Sequence, residues 1–132
     1  MHRIGIDIME IHRIEEALSR GGDRFLNRIY TEKEREFCRN RSSALAGRFA
    51  AKEAVMKVLG TGLKGIKWLD IETLSDADGM PVVHLHGNAK KRAEKLGLQE
   101  IVISVSHSKE YAVASAMGGQ GGTSNYGVGL LY

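Results

Sequence analysis

The sequence predicts a small α+β domain, and three observations carry this prediction. Isoleucine recurs at every second position from Ile4 to Ile8, which is the period-two pattern of a strand with a buried-looking face. Residues 42–59 form the strongest helical stretch, rich in small and apolar side chains. Residues 68–74 and 81–86 have strand character and are joined through an Asp-Gly turn signal. One long helix and several short ones beside such strands are typical of the α+β class.

Local signals set the predicted boundaries. The glycine pair 21–22 ends the first helix, and Thr31–Glu34 has the capping-box pattern of a helix start. Ser42 or Ser43 is expected to cap the long helix. The predicted elements in chain order are a strand at 4–8, helices at 10–20, 25–30, 32–39 and 42–59, strands at 68–74 and 81–86, a helix at 88–96, and strands at 100–106 and 111–117.

Length and composition bound the class of protein. The chain has 132 residues, 42% of them hydrophobic and only one a proline, which predicts one globular domain. A net charge of +3 suits anionic ligands but is too balanced to indicate a nucleic-acid-binding protein. No stretch has signal-peptide or membrane-spanning character, and Cys38 is the single cysteine, so a reducing cytoplasm is expected. Because so small a domain cannot easily build a deep pocket alone, oligomerisation is expected too.

The end of the chain differs in composition from the rest. A glycine-rich run begins at Gly118, and such runs are typical of flexible segments. We therefore expect a packed domain over residues 1–117 and a glycine-rich tail over residues 118–132.

Asp7 is the first candidate functional residue. It lies among isoleucines on the predicted strand, where a carboxylate needs a partner because an unpaired buried charge is costly. Asp7 either caps the helix that begins near Glu10 or binds a metal ion.

The long helix carries a second acidic candidate. Glu53 lies one turn after Phe49 and one turn before Lys57, so an aromatic ring, a carboxylate and an ammonium share one helix face. A solvated ion pair and a functional pair of charges both fit this spacing.

The turn after this helix offers groups that bind phosphate. Gly60-Thr61-Gly62 presents backbone N–H groups and a hydroxyl, although a plain helix stop explains the same glycines. The turn is not a P-loop, because a P-loop precedes its helix.

His107 directly follows the strand predicted at 100–106, and the alternation places it on the same face as Ile101 and Ile103. It is either a structural histidine or an anion ligand. A nucleophilic pair with a neighbouring serine is disfavoured, because adjacent residues of a strand point to opposite faces.

Three segments together resemble the acyl carrier protein synthase family of 4'-phosphopantetheinyl transferases. They are GIDIMEI at 5–11, GRFAAKEA at 47–54 and SVSHS at 104–108. Their order and spacing also match, over about residues 3–117. The resemblance implies the fold of that family, a small and mainly antiparallel sheet packed with one long and several short helices.

The resemblance implies a magnesium-dependent transferase that uses coenzyme A as co-substrate. Asp7 and Glu53 would bind the metal, together with phosphate oxygens of coenzyme A and water. A serine of apo acyl carrier protein would attack the β-phosphate, in fatty acid biosynthesis, and adenosine 3',5'-bisphosphate would leave. Glu53, directly or through a water, would accept the serine proton.

The remaining basic and glycine positions are implied to bind the nucleotide. Lys57 would neutralise charge on the pyrophosphate. Arg48 and His107 would hold the nucleotide phosphates, and the Gly60-Thr61-Gly62 turn would border the same pocket.

The resemblance also implies a protein partner and an assembly. Acyl carrier proteins are acidic and helical, so Arg13, Arg20 and Arg24 in the first quarter of the chain are expected to dock one. A solvated basic face is the alternative. The resemblance implies a homotrimer with active sites between subunits. Neither nucleic acid nor a membrane is expected as a partner.

Two other functions remain open on sequence alone. A noncatalytic module could bind phosphorylated ligands or nucleic acid through its basic residues and glycine turns, with no need of Asp7 and Glu53. A hydrolase could instead cleave a pyrophosphate with the same two carboxylates.

Overall fold

The computed structural model of the chain describes residues 2–60 and 64–120. Its strands form two antiparallel sheets, a three-stranded one in the order β1-β5-β4 and a hairpin of β2 and β3. The elements are β1 (His2–Glu10), α1 (Ile11–Ile29), α2 (Glu32–Cys38), α3 (Ser42–Leu59), a 3₁₀ turn (Trp68–Asp70), β2 (Ile71–Ser75), β3 (Pro81–Leu85), α4 (Gly87–Lys95), β4 (Glu100–His107) and β5 (Tyr111–Gly119). The predicted α+β class is confirmed.

The inner face of the three-stranded sheet is built from small residues, so α3 lies close against it. Ala112, Ala114 and Ala116 of β5 are buried on this face. Gly5 of β1 is closer still, because a Cβ atom added there would collide with the carbonyl oxygen of Ala54 in α3. The sheet and α3 therefore meet backbone to backbone at this point.

The outer face of the same sheet is exposed, which corrects the expectation of a buried isoleucine face; it carries apolar side chains together with Ser104, Ser106 and Ser115. Ile4, Ile6 and Ile8 are 73%, 61% and 62% exposed. Neighbouring strands extend the apolar surface, since Met117 pairs with both Ile4 and Val102 across the sheet. We call this surface the outer apolar face; its members are Ile4, Ile6, Ile8, Val102, Val113 and Met117.

One predicted helix boundary is wrong, and two are confirmed. The glycine pair 21–22 separates two helical segments of α1, because Gly22 at the kink has φ 52° and ψ −131°, a non-helical conformation that a side chain disfavours. Neither Ser42 nor Ser43 caps α3, because Arg41 is its N-cap residue and makes no side-chain capping hydrogen bond. The capping box of Thr31 and Glu34 is present at the start of α2.

The strand predicted at residue 68 begins three residues later, because Trp68–Asp70 forms a 3₁₀ turn. At the other end of the chain, β5 continues through Gly119, so the first two residues assigned to the tail pair within the sheet. A Cβ atom at Gly118 would lie 2.7 Å from Cγ1 of Val58, which explains a glycine in this strand. Residues 121–132 of the predicted tail lie outside the described residues.

A buried ion pair joins the hairpin to the helices. Lys52 and Glu34 have no exposed surface, and Nζ lies 2.8 Å from Oε1. Lys52 also donates to the carbonyl oxygens of Trp68 and Ile71, at 3.1 and 2.7 Å. Oε2 of Glu34 accepts hydrogen bonds from the backbone N–H and the hydroxyl of Thr73, each 2.8 Å long. Every charge in this network has a partner, as a buried pair requires.

Within residues 2–60 and 64–120, no helix is both long and apolar enough to cross a membrane.

Candidate active site

β1 and α3 bring Asp7, Glu53 and Lys57 together. Odd-numbered residues of β1 face α3, so Asp7 turns towards the helix and its side chain is only 12% exposed. Nζ of Lys57 lies 3.6 Å from Oδ1 of Asp7 and donates a 2.7 Å hydrogen bond to the carbonyl oxygen of Ile6. The ammonium therefore links the strand to the helix beside the two carboxylates. Asp7 is not the N-cap of the first helix, because Glu10 occupies that position.

The carboxylates of Asp7 and Glu53 lie close enough together for Asp7 to affect the ionisation of Glu53. Burial raises the pKa of Glu53 to about 7, and its hydrogen bond to Asp7 and the negative charge of Asp7 add to the rise, whereas Lys57 opposes it. When both groups are ionised, neither has a proton to donate to the other. Oδ2 of Asp7 is then buried without a hydrogen-bond partner. The ammonium of Lys57 therefore only partly neutralises the negative charge of Asp7 and Glu53.

This arrangement fits a magnesium ion. The donors are carboxylate oxygens, one of them buried and without a partner, and magnesium prefers oxygen ligands from one or two carboxylates plus substrate phosphates and waters. In the part of the chain that the structure describes, no three His, Cys, Asp or Glu side chains come together as a metal site. Phosphate oxygens of a substrate and water would complete the coordination of an ion held by Asp7 and Glu53.

A second charged cluster surrounds a cavity of about 400 Å³. It is lined by Arg48 and His107, the two residues that the family resemblance assigns to the nucleotide phosphates. The cavity also contains Arg41 and Phe37, which sequence reasoning missed. The position of Arg41 at the N-terminus of α3 was the available signal, since helix N-termini favour anions.

The guanidinium of Arg48 is held in place, but not all of its hydrogen-bond donors have a partner. Only 7% of the residue is exposed. One Nη donates to the hydroxyl of Ser75 at 3.1 Å, while the buried Nε has no hydrogen-bond partner. Among the described residues, neither Arg48 nor Arg41 forms an ion pair with a carboxylate. This cavity therefore holds uncompensated positive charge, which an anion would neutralise.

The two clusters lie on different faces of α3. Arg48 precedes Glu53 by five residues, which rotates it by about 140° around the helix. None of Asp7, Glu53 and Lys57 lines the cavity of Arg48 and His107. One chain therefore does not join all the predicted site residues in a single cavity.

The end of α3 is closed by a glycine and two arginines. Gly60 is the C-cap residue, with φ 78°, a left-handed conformation that suits glycine. Arg3 and Arg92 donate to the carbonyl oxygens of Val58 and Leu59, at 2.6 and 3.0 Å. Thr61 and Gly62, predicted with Gly60 to contact phosphate, lie outside the described residues.

Two of the three predicted docking arginines line a mainly apolar cavity. Arg13, Arg20 and Arg24 are exposed on α1, and the latter two line a cavity of about 530 Å³. Phe49 and Trp68, also in its lining, stack with ring centroids 4.8 Å apart. Phe49 therefore belongs to this cavity as well as to the helix that carries Glu53.

Comparison with known proteins gives consistent matches. A family model described as the 4'-phosphopantetheinyl transferase superfamily matches residues 3–116. The holo-[acyl-carrier-protein] synthase of Halothermothrix orenii is 45% identical over 121 residues, which cover 89% of this chain and 97% of that protein. The synthase of Caldanaerobacter subterraneus subsp. tengcongensis is 49% identical over 122 residues, covering 89% and 95%.

Solved structures agree with these matches. The crystal structure of Helicobacter pylori holo-[acyl-carrier-protein] synthase in complex with coenzyme A has a TM-score of 0.81 and 34% identity, covering 88% of this chain and 99% of that chain. The synthase from Bacillus anthracis in complex with CoA (3',5'-ADP) has a TM-score of 0.71 and 39% identity, covering 88% and 94%.

The raised pKa of Glu53 predicts a pH-dependent stability without divalent metal. Folding shifts this pKa upward from 4.5 to about 7, so the folded state binds the proton more tightly than the unfolded state. The contribution of protonated Glu53 to the free energy of unfolding is complete below pH 4.5 and is lost as the pH rises through about 7. The melting temperature in chelator, measured from pH 4 to 8, should fall more steeply for this protein than for Glu53→Gln. Added magnesium should raise it at pH 8 in the unmodified protein only. If the melting temperatures of the two proteins changed in parallel with pH, the raised pKa of Glu53 would be contradicted.

Proposed function

This chain belongs to the 4'-phosphopantetheinyl transferase superfamily, and on that premise we propose that it transfers 4'-phosphopantetheine from coenzyme A to a serine of apo acyl carrier protein. Adenosine 3',5'-bisphosphate leaves, and the product serves fatty acid biosynthesis. The observation that carries the proposal is the cluster of Asp7, Glu53 and Lys57, in which two carboxylates face each other beside one ammonium. A phosphate-binding module that only binds its ligand has no use for this pair.

Asp7 and Glu53 are the residues that would hold magnesium. When bound, the ion neutralises negative charge on the pyrophosphate of coenzyme A. Lys57, whose side chain is 55% exposed, contributes a second positive charge at the same place. Glu53 would accept the serine proton, directly or through a water.

Arg48 and His107 are proposed to hold nucleotide phosphates, and the turn of Gly60, Thr61 and Gly62 to border the coenzyme A site. The uncompensated charge of the cavity supports the first assignment. The position of Gly60 directly after the helix that carries Lys57 supports the second.

Glu53→Gln should lower the transfer rate by at least about a hundredfold, because it removes one of two charged metal ligands with little change in volume. Mass spectrometry of an apo carrier protein incubated with coenzyme A and magnesium measures the transfer. Glu94→Gln, which changes an exposed glutamate of α4, is the matched control and should keep the full rate.

Other outcomes of this assay favour the other functions. An unmodified carrier, with several carriers tried, favours a binding module. Release of adenosine bisphosphate in the absence of any carrier favours a hydrolase. A magnesium-dependent rate that Glu53→Gln leaves unchanged contradicts the assignment of the metal ligands.

We also propose a homotrimer in which Arg48 and His107 of one subunit face Asp7 and Glu53 of another. Two observations support it: the outer apolar face leaves three isoleucines exposed, and the two charged clusters occupy different faces of α3. Exposed apolar surfaces of this kind mark interaction sites.

Sedimentation should give the mass of three chains for the unmodified protein. Ile6→Glu should reduce the mass to one chain and abolish transfer, because it places a charge on the outer apolar face. Ile6→Val keeps the face apolar and should keep the trimer. A mass of one chain at micromolar concentration for the unmodified protein would overturn the assembly.

Arg13, Arg20 and Arg24 are proposed to dock the acidic carrier. Arg20 lies 3.7 Å from Glu16 with both side chains exposed, so this pair holds the arginine only weakly. The side chains of Arg13 and Arg24 form no ion pair or hydrogen bond with any described residue. The apolar cavity between the arginines gives the partner a surface to bury.

Arg24→Glu should raise the Michaelis constant for the carrier by about tenfold at low salt and leave that for coenzyme A nearly unchanged, because a like charge then meets an acidic partner. The effect should shrink at high ionic strength. Lys91→Glu makes the same charge change at an exposed position of α4 and should have no effect. Equal changes in both Michaelis constants would argue against the docking surface.

A cytoplasmic location is part of the same proposal. The single cysteine, Cys38, is buried and forms no disulfide, which fits a reducing compartment. Recovery of the protein in a membrane or periplasmic fraction would contradict it.

A further inference from the structure

Phe37 is an aromatic residue in an unusual position. It lies near the end of α2, lines the cavity of Arg48 and His107, and is 49% exposed. The guanidinium carbon of Arg48 lies 4.5 Å from the centre of its ring, and that of Arg41 lies 5.6 Å from it. One half-exposed ring therefore contacts two cations.

The contacts of the two arginines explain why they need such a support. Arg41 turns back onto the end of α2, where it donates to the carbonyl oxygens of Phe37 and Cys38 at 2.7 and 3.0 Å. Arg48 keeps a buried Nε without a partner. No carboxylate of the described residues pairs with either side chain. The negative face of an aromatic ring attracts cations and so offsets part of their mutual repulsion.

The charge of the cavity selects the phosphate that it would take. Asp7, Glu53 and Lys57, assigned above to the pyrophosphate, do not line this cavity. The remaining phosphate of coenzyme A is the 3'-phosphate, a monoester that carries close to two negative charges at neutral pH. Two guanidiniums and the N-terminus of an 18-residue helix match that charge.

We propose that Phe37 is a positioning residue that holds Arg41 and Arg48 for the 3'-phosphate, and that it thereby sets the preference for coenzyme A over 3'-dephospho-coenzyme A. This inference rests on the proposed function, in which Arg48 binds a nucleotide phosphate. It adds Arg41 as a further ligand of that phosphate, beside Arg48 and His107.

Calorimetric titration of the magnesium-loaded protein with coenzyme A and with 3'-dephospho-coenzyme A tests the inference. Phe37→Leu should weaken coenzyme A binding by about tenfold, since each cation–π contact contributes a modest part of the affinity. Binding of the dephospho compound should change less than about twofold. Phe37→Tyr keeps the aromatic face and should retain the preference for coenzyme A. Phe37→Met keeps apolar volume without a ring and should behave like the leucine variant.

The outcomes separate this inference from the function on which it rests. Arg48→Met should remove the preference for coenzyme A. If it does not, the phosphate assignment of the proposed function fails. If Arg48→Met removes the preference and Phe37→Leu and Phe37→Met retain it, only the inference about Phe37 is overturned. Equal weakening of both ligands by the leucine and methionine variants would also overturn it, because a structural defect does not distinguish the two compounds.

Discussion

The close contact between β1 and α3 is the constraint on which the site depends. At Gly5 the strand backbone meets the carbonyl oxygen of Ala54, with no room for a side chain. Asp7 lies two residues further along the strand. Because strand and helix are so close, its side chain reaches Glu53 and Lys57 of α3. Lys57 closes the contact through the carbonyl oxygen of Ile6. A wider spacing between strand and helix would separate the two carboxylates and weaken the interaction with Asp7 that helps to raise the pKa of Glu53.

The sequence predicted most elements because their signals are local. Periodicity, capping boxes and Asp-Gly turns depend on neighbouring residues, so the α+β class, the hairpin and the long helix follow from them. The burial of β1 was predicted wrongly for a physical reason. A period-two pattern shows that two faces differ but does not show which one is buried. Here the glycine face is buried, because α3 requires small residues opposite its alanines, and the isoleucine face remains open.

The site residues divide in a similar way. Spacing alone left Asp7 and Glu53 with ordinary interpretations, and only the family resemblance paired them across a distance of 46 residues in the chain. Phe37 and Arg41 carried no motif, since their contact depends on α2 and α3 meeting at one corner of the fold. Contacts between elements are not written in the local pattern, so this part of the site required coordinates. The missed helix cap has the same origin: Arg41 hydrogen-bonds to the end of α2 instead of leaving the start of α3 to a serine.

The ion pair of Lys52 and Glu34 has a consequence for how such a chain can change over time. Both side chains are fully enclosed, and each also satisfies backbone groups of the hairpin. Loss of one partner leaves the other as an uncompensated buried charge, which is far more costly than loss of both. The two positions are therefore coupled in their effects, and single steps at either one lead through a poorly folded intermediate sequence. A lineage can lose this ion pair mainly by exchanging both residues together, so the network restricts evolutionary drift at the two positions.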